Sequence, residues 1–167
     1  MAMVNDDLLK LSAELGTALK SRGWTLALAE SCTGGWVAQC ITAIAGSSDW
    51  FDRGFVTYSN GAKIEMLGVT ENTLSQHSAV SEQTAREMAL GALKHSHASI
   101  AAAITGIAGP DGGTQEKPVG TVCFAWATAN GDIKTVTKHL LGDRKEVRRV
   151  SVKTALQGLI DMQVSTF

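Results

Sequence analysis

Between positions 8 and 20, apolar residues recur at Leu8, Leu9, Leu11, Leu15, Ala18 and Leu19, tracing one face of a helix that Arg22-Gly23 brings to an end. The period then changes. Thr25 to Ala29 reads as a buried strand, and beyond a run of small residues an apolar helix is predicted from Trp36 to Ile44, stopping at Gly46-Ser47-Ser48. Gly54 to Tyr58 repeats the strand pattern. Two short helices are predicted next, Ala62 to Leu67 with Asn60 as its cap and Lys63 in its first turn, and another near Glu71 to Gln76. An amphipathic helix from Glu82 to Lys94 follows, with Ser81 placed to cap it. Ala98 to Ile104 is apolar on both faces, as a central strand requires. Val119 to Ala127 and Ile133 to Leu140 form a predicted hairpin around Ala129-Asn130-Gly131-Asp132, and a broad apolar stripe from Asp143 to Met162 reads as a final helix capped by Asp143.

This alternation predicts an α/β fold: a single three-layer α/β/α domain over residues 1–167, with a mixed, mostly parallel sheet. A chain of 167 residues, 44% hydrophobic and 19% charged, is long and apolar enough to build one sizeable core. The net charge of −1 and the lack of a basic run argue against nucleic acid as a partner. No apolar segment is long enough to span a bilayer, and the amino end lacks a basic stretch followed by an apolar one, so no membrane association and a cytoplasmic location are expected. Cys32, Cys40 and Cys123, odd in number and widely spaced, suit reduced thiols; no zinc spacing is present and neither a metal nor a cofactor is expected.

Ligands of open α/β sheets bind beyond the carboxyl ends of the strands. Three unusual segments fall there: Ala29-Glu30-Ser31-Cys32-Thr33-Gly34-Gly35, Tyr58-Ser59-Asn60-Gly61-Ala62-Lys63, and Thr105 to Gly113. Ser31 has two readings, an N-cap for the helix that follows or a nucleophile beside free backbone N–H groups that could hold an oxyanion. As a nucleophile it needs a base. His77, His95, His97 and His139 fall at helix ends or inside the hairpin and read as structural or solvated. Lys63 reads either as a solvated lysine or as the base, pointing back over the sheet edge. The second role requires its pKa to fall from about 10.4 to about 7 or 8, a shift worth about 4 kcal/mol. Burial, the positive end of its helix and a cationic ligand all push that way.

Tyr58, the only tyrosine, can stack on an aromatic ligand, share the proton relay, or simply close its strand as an amphipathic residue. Cys32 is a rival nucleophile without an evident activator. The glycine-rich loop from Thr105 matches no P-loop or dinucleotide turn, although its amides suit a phosphate. Gly142-Asp143-Arg144-Lys145 sets two cations at a helix start, which fits either a bound anion or a solvated turn.

Taken with Ala45-Gly46-Ser47-Ser48, Gly54 to Asn60 and Lys117-Pro118-Val119-Gly120-Thr121-Val122, these segments occur in an order that resembles the CinA carboxy-terminal domain family over nearly the whole chain. The closest likeness is to its stand-alone members, the nicotinamide-nucleotide amidases. The resemblance implies hydrolysis of nicotinamide mononucleotide to nicotinate mononucleotide and ammonia, within pyridine nucleotide recycling. It assigns Ser31 as nucleophile, with Lys63 and Tyr58 as its activating partners. Glu30, Thr33, Gly34, Gly35, Ser48, Asn60, Thr105, Gly106, Ala108, Gly109 and Arg144 are the expected substrate-binding positions, the amides of Thr33, Gly34 and Gly35 serving the oxyanion and the Thr105–Gly109 amides with Arg144 the phosphate. The chain leaves no room for the additional amino-terminal domain of full-length relatives, whose activity is not carried over. Two other readings stand beside this one: a noncatalytic nucleotide-sensing or partner-binding module linked to competence or DNA-damage responses, and an amidase for another small carboxamide. Trp36, Trp50 and Phe51 offer apolar surface for a homodimer.

Overall fold

The computed structural model describes residues 5–164. Six helices and five strands follow in the order α1 (Asp6–Arg22), β1 (Leu26–Glu30), α2 (Trp36–Thr42), β2 (Phe51–Val56), α3 (Asn60–Leu67), α4 (Glu71–His77), α5 (Glu82–Lys94), β3 (Ile100–Gly106), β4 (Thr121–Thr128), β5 (Ile133–His139) and α6 (Arg144–Val164). The strands form one sheet in the order β2-β1-β3-β4-β5. β1 pairs in parallel with β2 and β3, and the last two pairings are antiparallel, so four of the five strands run the same way. The predicted mixed, mostly parallel sheet is observed. Among the described residues no helix is long and apolar enough to cross a membrane.

The two faces of the sheet differ in side-chain size, and that difference sets how closely each helical layer approaches. One face presents Leu26, Leu28, Ile100, Ile104, Val122, Phe124 and Trp126, which pack with Leu8, Leu15 and Leu19 of α1, Val37 and Ile41 of α2, and Val147, Leu156 and Leu159 of α6. Each of these large side chains contributes about 1.5–3 kcal/mol by leaving water. Trp126 is admitted to this layer because its indole N–H donates to the Ala155 carbonyl at 3.0 Å. The other face is almost entirely methyl groups, Ala27, Ala29, Ala101, Ala103, Ala125 and Ala127 with Cys123, and α5 lies on it through Ala85, Met88, Ala89 and Ala92. At Gly91 the backbone of α5 comes so near α3 that a Cβ would stand 2.0 Å from the Leu67 carbonyl oxygen.

The predicted elements are all present, with shifted ends. β3 starts at Ile100 rather than Ala98 because its neighbour begins at Leu26, the residue it pairs with, and before that point Ala98 N–H is bonded to the Ser96 hydroxyl. The cap of α3 is Ser59, whose Oγ accepts from Ala62 N–H at 3.0 Å, and Asn60 is instead the first helical residue. Ser81 and Asp143 cap α5 and α6 as expected, through Thr84 N–H and Glu146 N–H. Trp50 does not offer dimer surface: it is 3% exposed and lies against Gly16 of α1. Trp36 and Phe51 remain half-buried.

Candidate active site

Register places the site. Glu30 stands opposite Val56 on one side and Ile104 on the other, so one step further Ser31, Thr57 and Thr105 lie side by side at the carboxyl ends of three parallel strands. Ser31 N–H donates to Ile104 O at 3.0 Å and Thr57 N–H to Glu30 O at 2.8 Å, extending the ladder to this row. Because side chains alternate across a sheet, these three hydroxyl residues continue the face that carries Ala29 and Ala103, under α3 and α5. Residue 30 points the opposite way.

Lys63, one turn into α3, reaches back over this row. Its side chain is 1% exposed, and Nζ lies 2.9 Å from Ser31 Oγ, 2.9 Å from Thr57 O and 3.0 Å from Tyr58 O. Two of these neighbours are carbonyl oxygens, which only accept. A neutral amine has two N–H bonds and one lone pair, so donation to both carbonyls leaves the lone pair aimed at the Ser31 hydroxyl. Burial pushes the Lys63 pKa below its ordinary value. The site therefore places the Ser31 hydroxyl in hydrogen-bond contact with a buried amine that could accept its proton. Cys32 is no rival: burial pushes its thiol up to about 12, so it stays protonated.

The turn after Ser31 is closed from below by Glu30. Its carboxylate, 1% exposed, accepts from Thr33 Oγ1 at 2.7 Å, Val37 N–H at 3.0 Å and Ala38 N–H at 3.1 Å. Glu30 thus occupies the start of α2 and is turned away from the cavity, rather than toward a substrate. The N–H of Gly34 is also taken, by Ser31 O at 3.0 Å. No side chain caps α2 in the usual way; Gly35 holds the cap position at φ 99, a conformation that favours glycine, and neither Ser31 nor Thr33 serves there. From above, Arg148 Nε and Nη2 donate to the carbonyls of Cys32 and Thr33 at 3.0 and 3.2 Å. Arg148 follows Arg144 by one helical turn, the sole sequence signal for its position on the same face of α6.

A cavity of about 260 Å³ opens over the dyad. Of the expected residues it brings together Ser31, Tyr58, Lys63, Thr105, Gly106, Ala108, Gly109 and Arg144. Ser48 lies elsewhere: α2 carries the chain from the carboxyl end of β1 back to the start of β2, so Ser48 sits at the opposite edge of the sheet, exposed. Asn60, Glu30, Thr33, Gly34 and Gly35 flank the site without lining it. Tyr58 contributes in two separate ways. Its carbonyl holds Lys63, while its side chain, 62% exposed, stands at the cavity mouth with Arg144 Nη2 3.4 Å from the phenol oxygen. Arg144 Nη1 donates to Gly109 O at 2.8 Å, spanning the mouth. Sequence reasoning missed Ala79 and Val80, from the turn between α4 and α5; Ile107, Asp111 and Gly112 also line the cavity, within the Thr105–Gly113 segment already singled out. The turn has no chemical signature of its own.

The sequence matches the family described as CinA C-terminal domain over residues 8–163. It is 60% identical over 157 residues to the nicotinamide-nucleotide amidohydrolase PncC of Escherichia coli K12, covering 94% of this chain and 95% of that one. The protein of the same name from Enterobacter agglomerans is 56% identical, over 90% and 94% of the two chains. Among solved structures, the competence/damage inducible protein CihA from Agrobacterium tumefaciens superposes with a TM-score of 0.93 at 47% identity, covering 97% of this chain and 99% of its own.

Proposed function

The chain belongs to the CinA C-terminal domain family, and from that premise and the geometry of its dyad we propose that it hydrolyses the carboxamide of nicotinamide mononucleotide to nicotinate mononucleotide and ammonia. The observation that carries the mechanism is the 2.9 Å contact between Lys63 Nζ and Ser31 Oγ, with the Thr57 and Tyr58 carbonyl oxygens within 3.0 Å of the same nitrogen. Ser31 Oγ attacks the carboxamide carbon as its proton passes to Lys63, which becomes an ammonium with three acceptors around it. Backbone N–H groups of the turn after Ser31 steady the oxyanion; Gly34, already bonded, is not among them. Collapse of the tetrahedral intermediate breaks the C–N bond, and Lys63 returns its proton to the departing nitrogen. The acyl-enzyme is then opened by water, deprotonated by the same amine, which releases nicotinate mononucleotide and restores the Ser31 hydroxyl.

The pyridinium ring fits against Tyr58 at the mouth, its positive charge favouring a neutral Lys63, while the phosphate lies toward Arg144 and the loop from Thr105 to Gly109. Such an activity supplies nicotinate mononucleotide to pyridine nucleotide recycling in the cytoplasm. It requires no cofactor and no nucleic-acid or membrane partner, and half-buried Trp36 and Phe51 leave apolar surface for a second copy of the chain.

The test is ammonia release from nicotinamide mononucleotide by the wild type and by Ser31→Ala. The variant should lose at least about a hundredfold in rate. Equal rates reject Ser31; nicotinamide mononucleotide binding without ammonia from the wild type favours the nucleotide-sensing reading, and preference for nicotinamide or its riboside favours a different carboxamide.

A further inference from the structure

The cavity has a wall that belongs neither to the dyad nor to the strand ends. It is the turn Ser78-Ala79-Val80 between α4 and α5, of which Ala79 and Val80 line the cavity. Ser78 is the one non-glycine residue with positive φ among the described residues, at φ 68 and ψ 174, a sparsely populated region for a side chain with a Cβ. Such a conformation persists only when its surroundings fix it. Here the Ser78 carbonyl accepts from Ser81 Oγ at 3.1 Å and Thr84 Oγ1 at 2.7 Å, and the next carbonyl, Ala79 O, accepts from Thr105 Oγ1 at 2.8 Å. The remaining restraint comes from a distant loop. Lys117 Nζ donates to His77 O and to Ser78 Oγ, each at 2.8 Å.

Lys117 is itself anchored. Its N–H donates to Thr114 Oγ1 at 3.0 Å and its carbonyl accepts from Thr114 N–H at 2.8 Å, closing a tight turn at the end of the glycine-rich loop whose earlier residues Ile107, Ala108, Gly109, Asp111 and Gly112 line the same cavity. One ammonium group thus ties together the two cavity walls that carry no reacting group. Neither β1 nor α3, which hold Ser31 and Lys63, receives a hydrogen bond from it.

We propose that Lys117 is a positioning residue for substrate binding: it clamps the glycine-rich loop to the Ser78–Val80 turn and so fixes the width of the cavity in which the nucleotide is held. The proposal rests on the amidase reading above for its substrate. Because the clamp lies apart from the dyad, its loss acts on KM and spares kcat. Arginine, with a planar set of donors of similar reach, can still engage a carbonyl and a hydroxyl together, whereas methionine fills the same space without donating.

The experiment measures steady-state ammonia release from nicotinamide mononucleotide by wild type, Lys117→Met, Lys117→Arg and Ser78→Ala, together with amide hydrogen exchange across residues 76–81 of the same proteins. Lys117→Met should raise KM about tenfold and leave kcat within about twofold, Lys117→Arg should recover most of the loss, and Ser78→Ala, which removes one of the two acceptors, should fall between. Exchange over 76–81, where Ser78 N–H is bonded to Leu74 O, should quicken in Lys117→Met and be restored in Lys117→Arg. An unchanged KM, or a fall in kcat at constant KM, overturns the proposal. If the wild type releases no ammonia, the substrate assignment fails on its own account, and unchanged exchange in Lys117→Met then overturns the clamp independently.

Discussion

Lys63 Nζ stands 2.9 Å from Ser31 Oγ across 32 positions of sequence, and among the described residues no carboxylate hydrogen-bonds to the amine. On the proposed mechanism, that pairing makes protonation of Lys63 the control point of the chemistry. Lys63→Met should abolish ammonia release while calorimetry still detects nicotinamide mononucleotide binding; normal turnover at saturation together with lost binding would make Lys63 a ligand instead of a base.

The same burial gives a pH dependence of defined sign. Lys63 is held below the ordinary lysine value of 10.5, so its base form accumulates as pH rises and kcat should climb along an acid limb whose midpoint lies below pH 10.5. Stability follows the same window. Between the folded and unfolded pKa the unfolded chain holds more protons, so stability rises with pH there, and the cost of burying an ammonium is full below the folded value. Measured against Lys63→Met by urea unfolding, the wild type should therefore gain ground as pH is raised, and a difference that shrinks instead would contradict the assignment.

Tyr58 holds the dyad through its backbone and meets the cavity mouth through its ring. Tyr58→Phe should keep kcat within about threefold, and Tyr58→Ala should raise KM by about tenfold or more. A collapse of kcat in Tyr58→Phe would show that the phenol proton takes part in the relay.

Glu30 accepts three hydrogen bonds without exposure to water. Glu30→Gln sets an NH₂ group against at least one N–H donor, and loss of charged, buried hydrogen bonds costs about 2–4 kcal/mol. Denaturant unfolding checks this; a loss below about 1 kcal/mol would mean that the start of α2 finds other acceptors.

Gly91→Ala opposes two effects of unequal size. Alanine improves the propensity of α5 by up to about 1 kcal/mol, but its Cβ would fall 2.0 Å from Leu67 O, and overpacking against backbone costs about 1–3 kcal/mol. The clash should win, with Tm lower by about 2–6 °C. Since Leu67 closes the helix that carries Lys63, ammonia release should fall as well.

Periodicity finds every α-helix and strand among the described residues, because each element buries a face and the burial pattern is written in local spacing, but not the short 3₁₀ turn Ser47–Asp49. The three chemical segments were legible for the same reason: their residues follow strands directly, and parallel pairing brings strand ends together. Glu30, an expected substrate-binding position, does not line the cavity because the alternation of β1 turns its carboxylate toward α2. Ser48 was misplaced because seven residues of α2 take the chain to the far edge. The Ser78–Val80 wall depends on tertiary contacts, for which residue spacing carries no record, and for Arg148 the one-turn spacing from Arg144 shows a shared helix face but not the carbonyls it meets.

The methyl-lined face of the sheet governs more than packing density. It sets the height at which α5 rides, and the turn that shapes one side of the nucleotide cavity is fastened to the start of that helix by Ser81 and Thr84. Ala103 and Ala125 pair across adjacent strands within this floor, so exchanging either for valine would jack α5 outward and transmit the displacement to a ligand neither residue touches. On the proposed function, substrate affinity should therefore follow the thinness of the protein's interior.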